Sequence, residues 1–251
     1  MKSWKTKTGT LIYRILTGRC NCYLISMDNQ FLLVDSGVKT GWKNLDRGLE
    51  KLGATHSSLM ALILTHCHFD HAENAAKLKQ THKTPIWVHR SEGDCLRNGE
   101  NPVIQGSIPV TKLLIDILNR TQRLGRLNYA PADYDRLVDD RLDLDSFGFP
   151  GYILHTPGHT PGSMSVIIEN EIALVGDTLF GIFKGSVFPP FADDPKLMVQ
   201  SWKKLLDTGC TTFLPAHGSE RDQEVLERQY DTYKNTYMDS LPSKINSNPA
   251  F

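Results

Sequence analysis

Residues 59–79 read LMALILTHCHFDHAENAAKLK, and this stretch passes from an apolar run through a polar loop into a helical pattern. The run from Leu59 to Leu64 predicts a buried strand, and the spacing after Ala72 predicts an amphipathic helix. The loop carries an H-x-H-x-D-H motif made of His66, His68, Asp70 and His71. Alternate histidines at a strand end can converge on one cation, and the following Asp and His can turn to a second. Chance supplies such a string on the order of once in several thousand chains, so the motif indicates a metal site.

Three further candidate ligands follow apolar strands later in the chain. His159 comes after GYILHTP, Asp177 after EIALVG, and His217 after TTFLPA. In α/β sheets, the loops at the carboxyl ends of strands form the active-site crevice, so we expect all four segments to bring their ligands to one rim. Imidazole and carboxylate together suit Zn, Fe, Mn or Co better than Ca or Mg. The full ligand set is larger than one tetrahedral site needs.

Apolar runs bounded by turn residues alternate with helical patterns along most of the chain, which predicts an α/β protein with many strands. The predicted strands are Leu11–Ile15, Cys22–Ser26, Phe31–Val34, Leu59–Leu64, Ile86–His89, Tyr152–Leu154, Met164–Ile168, Ile172–Val175 and Thr212–Leu214. The predicted helices are Leu45–Leu52, Ala72–Gln80, Lys112–Leu124, Lys196–Asp207 and Ser219–Tyr237. No repeat or Gly/Ser/Pro-rich linker divides the sequence, so we expect one domain over residues 1–251.

Residues 98–145 differ from this pattern and predict a helical insertion or cap. They contain an amphipathic helix within TKLLIDILNRTQRL and then the acidic stretch DYDRLVDDRLDLD, which shows no strong strand. The segment leaves the core after the strand ending at His89 and returns before the strand that precedes His159. The apolar face of its helix needs a cover. We therefore expect a lid over the metal site, with a homodimer interface as the alternative.

Composition argues against several classes of function. Lys and Arg total 28, and Asp and Glu also total 28, so the chain has no net field that would hold a nucleic acid or an anionic membrane. The longest apolar run, Leu59–Leu64, is too short to cross a bilayer, and Arg14 interrupts the apolar stretch near the N-terminus. The five cysteines are an odd number, which argues against a disulfide framework. We expect a cytoplasmic protein that acts on a small molecule.

Several short phrases occur in the order VDSG, THCHFDH, TPGHTPGS, GDTLF and PAHG. In this order and approximate spacing they resemble the metallo-β-lactamase superfamily. The phrases NCYLI, GHTPGS and GDTLF are most similar to the glyoxalase II and related thioesterase-like branch. The resemblance implies a four-layer αββα sandwich that holds two divalent metal ions, with Zn as the first choice and Fe or Mn as alternatives. It further implies a hydrolase in which a metal-bridging hydroxide attacks a thioester, lactone or ester carbonyl.

The resemblance also divides the ligands into two sets joined by a bridging carboxylate. These are His66, His68 and His159 for one ion, Asp70, His71 and His217 for the other, and Asp177 between them. Asp70 would also act in catalysis, because its carboxylate can orient the nucleophile or hold its proton. Asp35 of VDSG is similar to the family's aspartate behind the metal ligands.

Substrate contacts are expected at several positions after GDTL. Lys184 resembles in position the basic residue that glyoxalase II places near glutathione, with a solvated lysine as the alternative. Phe180 could line an acyl pocket, as could Phe183 and Phe188, with packing in the core as the alternative. Only about one long helix follows His217, whereas a glyoxalase II proper carries a helical glutathione-binding domain there. A glutathione thioester is therefore one candidate substrate among several.

The remaining chemically active side chains are interpreted as structural. Cys67 lies between two ligands, but neighbouring side chains of an extended segment point in opposite directions, which favours a packed thiol. The histidines outside the motifs are expected at the surface or in the core, and these are His56, His82, His89 and His155.

Two other activities stay open for this set of ligands. A mononuclear iron persulfide dioxygenase similar to glyoxalase II would use two histidines and one aspartate. A phosphodiesterase or nuclease of the same fold is a third hypothesis, although the neutral charge and the lack of a basic arm argue against it. Metal content, oxygen consumption and a substrate screen would separate these activities.

Overall fold

Two β-sheets lie at the centre of the computed structural model, which describes residues 1–120 and 127–237. The first sheet has seven strands that follow the order of the chain. They are β1 (Lys2–Lys5), β2 (Leu11–Leu16), β3 (Cys22–Met27), β4 (Gln30–Val34), β5 (Leu59–Ile63), β6 (Ile86–His89) and β7 (Arg136–Val138). The second sheet has six strands, again in chain order. They are β8 (Arg141–Asp143), β9 (Gly151–His155), β10 (Met164–Ile168), β11 (Ile172–Gly176), β12 (Thr212–Pro215) and β13 (Arg221–Asp222).

Helices cover the outer faces of both sheets. The α-helices of the described residues are α1 (Trp42–Lys51), α2 (Phe69–Ala72), α3 (Ala75–His82), α4 (Gly93–Asn98), α5 (Pro109–Arg120), α6 (Pro195–Asp207) and α7 (Gln223–Tyr237). Apolar residues of α1, α3 and α4 pack on one face of the first sheet, and those of α6 and α7 pack on the second sheet. A third apolar cluster fills the space between the sheets. The layers therefore follow the order α, β, β, α, as expected. Within the described residues, no helix is both long and apolar enough to span a bilayer.

Burial on both faces explains why the central strands read as continuous apolar runs. In β4, Leu33 packs in the outer cluster under the helices, whereas Leu32 and Val34 face the second sheet. Successive side chains of a strand alternate between its two faces, so a strand covered on both sides is apolar at nearly every position. The strands predicted from apolar runs are all confirmed, each to within one residue at either end.

The strand directions bring four loops to one edge of the sandwich. Strands β9 and β11 both pair antiparallel with β10, and β12 pairs parallel with β11, so the chain leaves β9, β11 and β12 at the same edge. In the first sheet, β5 pairs parallel with β4 and β6. The end of β5 meets this edge, because Met164 N donates to Thr65 O over 2.8 Å. The loops after β5, β9, β11 and β12 therefore share one rim.

Residues 133–145, where the sequence shows no strong strand, hold two short strands. Strand β7 pairs parallel with β6, and β8 pairs antiparallel with β9, so both are edge strands of the two sheets. Each is only three residues long and carries charged residues on its solvated side, which removes the apolar signal. Of the segment at residues 98–145, α5 is the helical part. The predicted helix continued to Leu124, and residues 121–124 lie outside the described residues.

Candidate metal centre

The loop after β5 and the loop after β9 bring three histidines together. His66 Nε2 lies 3.0 Å from His68 Nδ1, and His68 Nδ1 lies 3.1 Å from His159 Nε2. Burial, together with the neighbouring histidines, holds the pKa of His66 and of His68 well below the ordinary value. Burial also lowers the pKa of His159. These rings are therefore neutral, which is the form that binds a metal ion.

A second group lies beside the first. Asp70, His71 and His217 each direct one ligand atom into a common region, with all three atoms within 4.8 Å of one another. His217 Nε2 lies 3.7 Å from Asp70 Oδ2. Asp70 and His71 belong to α2, directly after the histidines of the first group, whereas His217 follows β12. The structure therefore brings all of the predicted ligands to one rim, in the two groups that the resemblance implied.

Asp177 lies between the two groups. Its Oδ2 is 3.2 Å from His217 Nε2 and 3.5 Å from His159 Nε2, and its Oδ1 is 3.5 Å from His71 Nε2. Burial opposes ionisation, but the facing histidines, His217 first, hold the pKa of this carboxyl below its ordinary value. An ionised carboxylate thus faces members of both histidine groups.

The donor atoms in this cluster fit divalent transition metals. In the described part of the chain, His71 Nε2 and Asp177 Oδ1 are buried and have no hydrogen-bond partner, which is costly unless another group satisfies them. The nitrogen separations near 3 Å in the first group are close to the roughly 3.3 Å that a tetrahedral ion with bonds of about 2.0 Å imposes. Imidazole nitrogen and carboxylate oxygen suit Zn, Fe or Mn.

Asp35 contacts His71 on the side of the ring away from the cluster. Its Oδ2 lies 2.9 Å from His71 Nδ1, and its Oδ1 accepts a hydrogen bond from Thr65 N over 2.8 Å. With Nδ1–H donated to Asp35, His71 presents Nε2 to the cluster. Against the effect of burial, Cys20 and Asp35 raise the pKa of His71, so a cation at Nε2 competes with a proton. This arrangement is what the similarity of Asp35 to the family's aspartate implied.

The two sheets approach closely beneath the cluster. Gly176 adopts φ +52°, and a Cβ on this residue would lie 2.6 Å from Thr65 Oγ1. Only glycine adopts this conformation without cost and also leaves room for the threonine. Gly176 therefore sets the position of Asp177, the next residue, against the loop that carries His66.

Glu92 lies beside the cluster and was not predicted from the sequence. It follows β6 and is 3% exposed. Its carboxylate accepts hydrogen bonds from Cys67 N at 2.5 Å, from Gly162 N at 3.2 Å and from Thr160 Oγ1. Burial raises its pKa. Glu92 thus joins the loop of His66 and His68 to the loop of His159. The only sequence signal for Glu92 is its position shortly after β6, a strand of the same sheet as β5, which precedes His66.

Cys67 itself packs away from the histidines. Its side chain is fully buried in the cluster under the helices of the first sheet, and burial raises its pKa well above the ordinary value. Tyr129 Oη donates to Cys67 O over 2.9 Å. A neutral, packed thiol agrees with the interpretation made from the sequence.

A cavity of about 420 Å³ opens above the cluster. Phe180 lines it, and its ring centroid lies 4.8 Å from that of His217. Lys184, in contrast, is exposed and is not part of the cavity lining, because the turn that carries it points to solvent. Phe183 is 55% exposed in the same turn, and Phe188 is buried in the core beside Trp202. Of the predicted substrate contacts, the structure brings Phe180 alone to the site.

A helix-covered double sheet with histidines and aspartates gathered on one edge defines a metal-dependent hydrolase fold. The chain belongs to the metallo-beta-lactamase superfamily, whose family model matches residues 16–217.

Relatives of known name agree with this assignment. The chain is 31% identical over 206 residues to the hydroxyacylglutathione hydrolase GloC of Haemophilus influenzae, covering 79% of this chain and 85% of that protein. It is 26% identical over 206 residues to the probable metallo-hydrolase YqgX of Bacillus subtilis, covering 81% and 87%. The similarity to GloC is consistent with the glyoxalase II-like branch.

Solved structures share the fold. TTHA1623, crystallised in a di-iron-bound form, superposes with a TM-score of 0.62 at 24% identity, covering 86% of this chain and 98% of that chain. The BLEG-1 B3 metallo-beta-lactamase superposes with a TM-score of 0.63 at 23% identity, covering 91% and 98%. At these identities the likeness establishes the architecture only.

Proposed function

We propose that this protein is a dinuclear metal-dependent hydrolase of a small acyl compound, namely a thioester, a lactone or an ester. The observation that carries the proposal is the position of Asp177, which lies within 3.5 Å of His159 in one group and of His71 and His217 in the other. A carboxylate placed in this way can serve two ions at once, and the separate groups supply the remaining ligands.

The side chains around the cluster have distinct tasks in this proposal. Bound divalent ions would supply Lewis acidity, which makes hydroxide available near neutral pH and polarises a carbonyl oxygen. Asp70 lines the cavity, where its carboxylate can orient the attacking water or hold its proton. His159 Nδ1 donates to Phe191 O over 2.8 Å, so its Nε2 is fixed toward the cluster. Asp35 fixes His71 in the same manner, and such partners maintain ligand geometry.

Zinc is the proposed metal, with iron or manganese as alternatives, because all three accept mixed nitrogen and oxygen ligands. The di-iron form of TTHA1623 supports a two-metal site on this fold. The name of the Haemophilus relative supports a thioester among the candidate substrates. All five cysteines are free thiols, which supports the proposal of a reducing, cytoplasmic compartment.

Metal analysis joined to a substrate screen tests the proposal. We expect close to two transition-metal ions per chain and hydrolysis of at least one thioester, lactone or ester. Asp177→Asn should lower both quantities, whereas Asp139→Asn, an exposed aspartate paired with Arg90, should change neither. One iron per chain with oxygen consumption and no hydrolysis would contradict the proposal in favour of a dioxygenase. Turnover of phosphodiesters alone would contradict it in favour of a nuclease.

A further inference from the structure

The cavity above the metal-site residues has an apolar wall that the proposed function does not explain. Helix α5 contributes Leu114, Ile115 and Leu118, and the facing side is formed by Ile104, Phe180 and Phe191. His68, Asp70, His159, Asp177 and His217 line the same cavity. A group bound against the apolar wall therefore lies directly beside the reacting position.

Hydrogen bonds fix the start of α5 to a loop that belongs to the site. Ser107 Oγ donates to Pro189 O over 2.6 Å, and Thr111 Oγ1 donates to Pro190 O over 2.7 Å. The next residue, Phe191, accepts the hydrogen bond from His159 Nδ1. These hydrogen bonds fix the start of α5 relative to the candidate metal ligand His159. The apolar wall therefore has a defined position over the site. Leu114 still leaves 46% of its surface exposed, and a ligand in the cavity would cover part of it.

A second cavity, lined by both polar and apolar side chains, adjoins the first. Its volume is about 480 Å³, and it shares Arg19, Phe69 and Leu127 with the apolar cavity. The Arg19 guanidinium lies over the Phe69 ring, 4.8 Å from its centroid. No acidic side chain among the described residues pairs with Arg19. A cation without a carboxylate partner at the junction of the two cavities can receive an anionic group of the substrate.

We infer, on the basis of the proposed hydrolase function, that the substrate is an acyl thioester or ester with an apolar acyl chain and an anionic leaving group. The acyl chain lies under α5 and the leaving group lies beside Arg19. One water is consumed: its oxygen bonds to the acyl carbon, the bond from that carbon to the leaving sulfur or oxygen breaks, and the leaving atom keeps the electron pair and takes up a proton. The products are a carboxylic acid and a thiol or alcohol.

Chain length is the first test. The probes are acetyl, butyryl, hexanoyl and octanoyl thioesters of 3-mercaptopropionate, which is anionic, and of N-acetylcysteamine, which is neutral. Each buried methylene should raise kcat/KM about fourfold until the cavity is filled. Leu114→Ser should flatten this dependence, whereas Leu113→Ser should leave it intact. The two leucines are neighbours on one helix, and Leu113 is 63% exposed and does not line the cavity.

The leaving group is the second test. Arg19→Gln should remove the preference for mercaptopropionate over N-acetylcysteamine thioesters. Arg47→Gln, an exposed arginine that lines neither cavity, should retain this preference. Calorimetric titration with hexanoate and acetate gives a readout besides turnover: hexanoate should bind more tightly, and Leu114→Ser should remove the difference.

The outcomes separate this inference from the proposed function. Equal rates for acetyl and octanoyl thioesters, with no effect of Leu114→Ser, would overturn the apolar site while leaving a hydrolase. An unchanged leaving-group preference in Arg19→Gln would overturn the anionic site. Hydrolysis of lactones alone would overturn this inference while leaving the proposed function. Failure to hydrolyse any thioester, lactone or ester would overturn both together.

Discussion

Glu92→Gln should weaken metal binding at the first histidine group more than it weakens the fold. The carboxylate of Glu92 connects the two loops that carry this group, through Cys67 N on one side and Thr160 Oγ1 and Gly162 N on the other. An amide of the same shape has one acceptor oxygen in place of two. At least one of these buried donors must therefore lose its acceptor.

The size of the effect follows from that lost hydrogen bond. A buried N–H left without an acceptor costs about 1–3 kcal/mol. If the whole cost falls on the separation of the loops, the metal affinity of the first group falls by roughly 5- to 150-fold. Mutation of residues that hold metal ligands in other proteins typically lowers metal affinity or activity by about 10- to 100-fold. The unfolding free energy should change less, because burial of the Glu92 carboxylate already opposes its charge and the amide removes that penalty.

Competition with a chromophoric zinc chelator at pH 7.5 measures the two affinities, and thermal unfolding of the chelated protein measures the fold. Glu169→Gln is the matched control, since Glu169 accepts hydrogen bonds from Thr6 and Thr10, far from the metal-site loops. We expect this control to keep both zinc affinities. Wild-type zinc affinity in Glu92→Gln, whatever its melting temperature, would refute the assignment of Glu92 as a positioning residue.

Two further predictions concern single residues. His68→Ala should abolish turnover and lower the metal content, whereas Cys67→Ser should leave both near the wild-type level, and equal damage from both variants in folded proteins would contradict the packed-thiol interpretation. Burial and then His155 lower the pKa of His89 to about 4, so between about pH 6.5 and 4 the unfolded chain binds more protons and stability falls as pH falls. In urea unfolding, His89→Gln should therefore lose less stability than the wild type between pH 7 and 5, by about 1 kcal/mol after allowance for solvent screening.

The central strands could be predicted because each position is buried on one face or the other. Leu32, Leu33 and Val34 alternate between two apolar clusters, so the run is apolar throughout. Strands β7 and β8 escaped prediction because partner strands on one side only, with solvent on the other, allow charged residues such as Arg136 and Asp143. Their formation depends on pairing with β6 and β9. A pattern read within the strand's own residues does not contain this pairing.

The candidate metal ligands could be predicted because their spacing and their place after strands are local properties. The residues that position them could not. Glu92 is important only because two loops from different sheets contact its carboxylate. The residues next to Glu92 in the sequence do not indicate these contacts. Lys184 was expected at the substrate from its distance along the chain after Asp177, but its turn faces solvent. Arg19, far earlier in the sequence, lines the cavity instead.

The segregation of the two sheets along the chain has a consequence for biosynthesis. Residues 2–138 supply the first sheet and residues 141–222 supply the second, so the first sheet can leave the ribosome while its inner face has no cover. At 5–20 residues per second, translation of residues 141–222 takes roughly 4 to 16 s. During that interval Ile25, Val34 and Ile63, which later face the second sheet, are open to aggregation or to chaperones. The nascent chain also carries His66 and His68 before their partners His159, Asp177 and His217 have been synthesised.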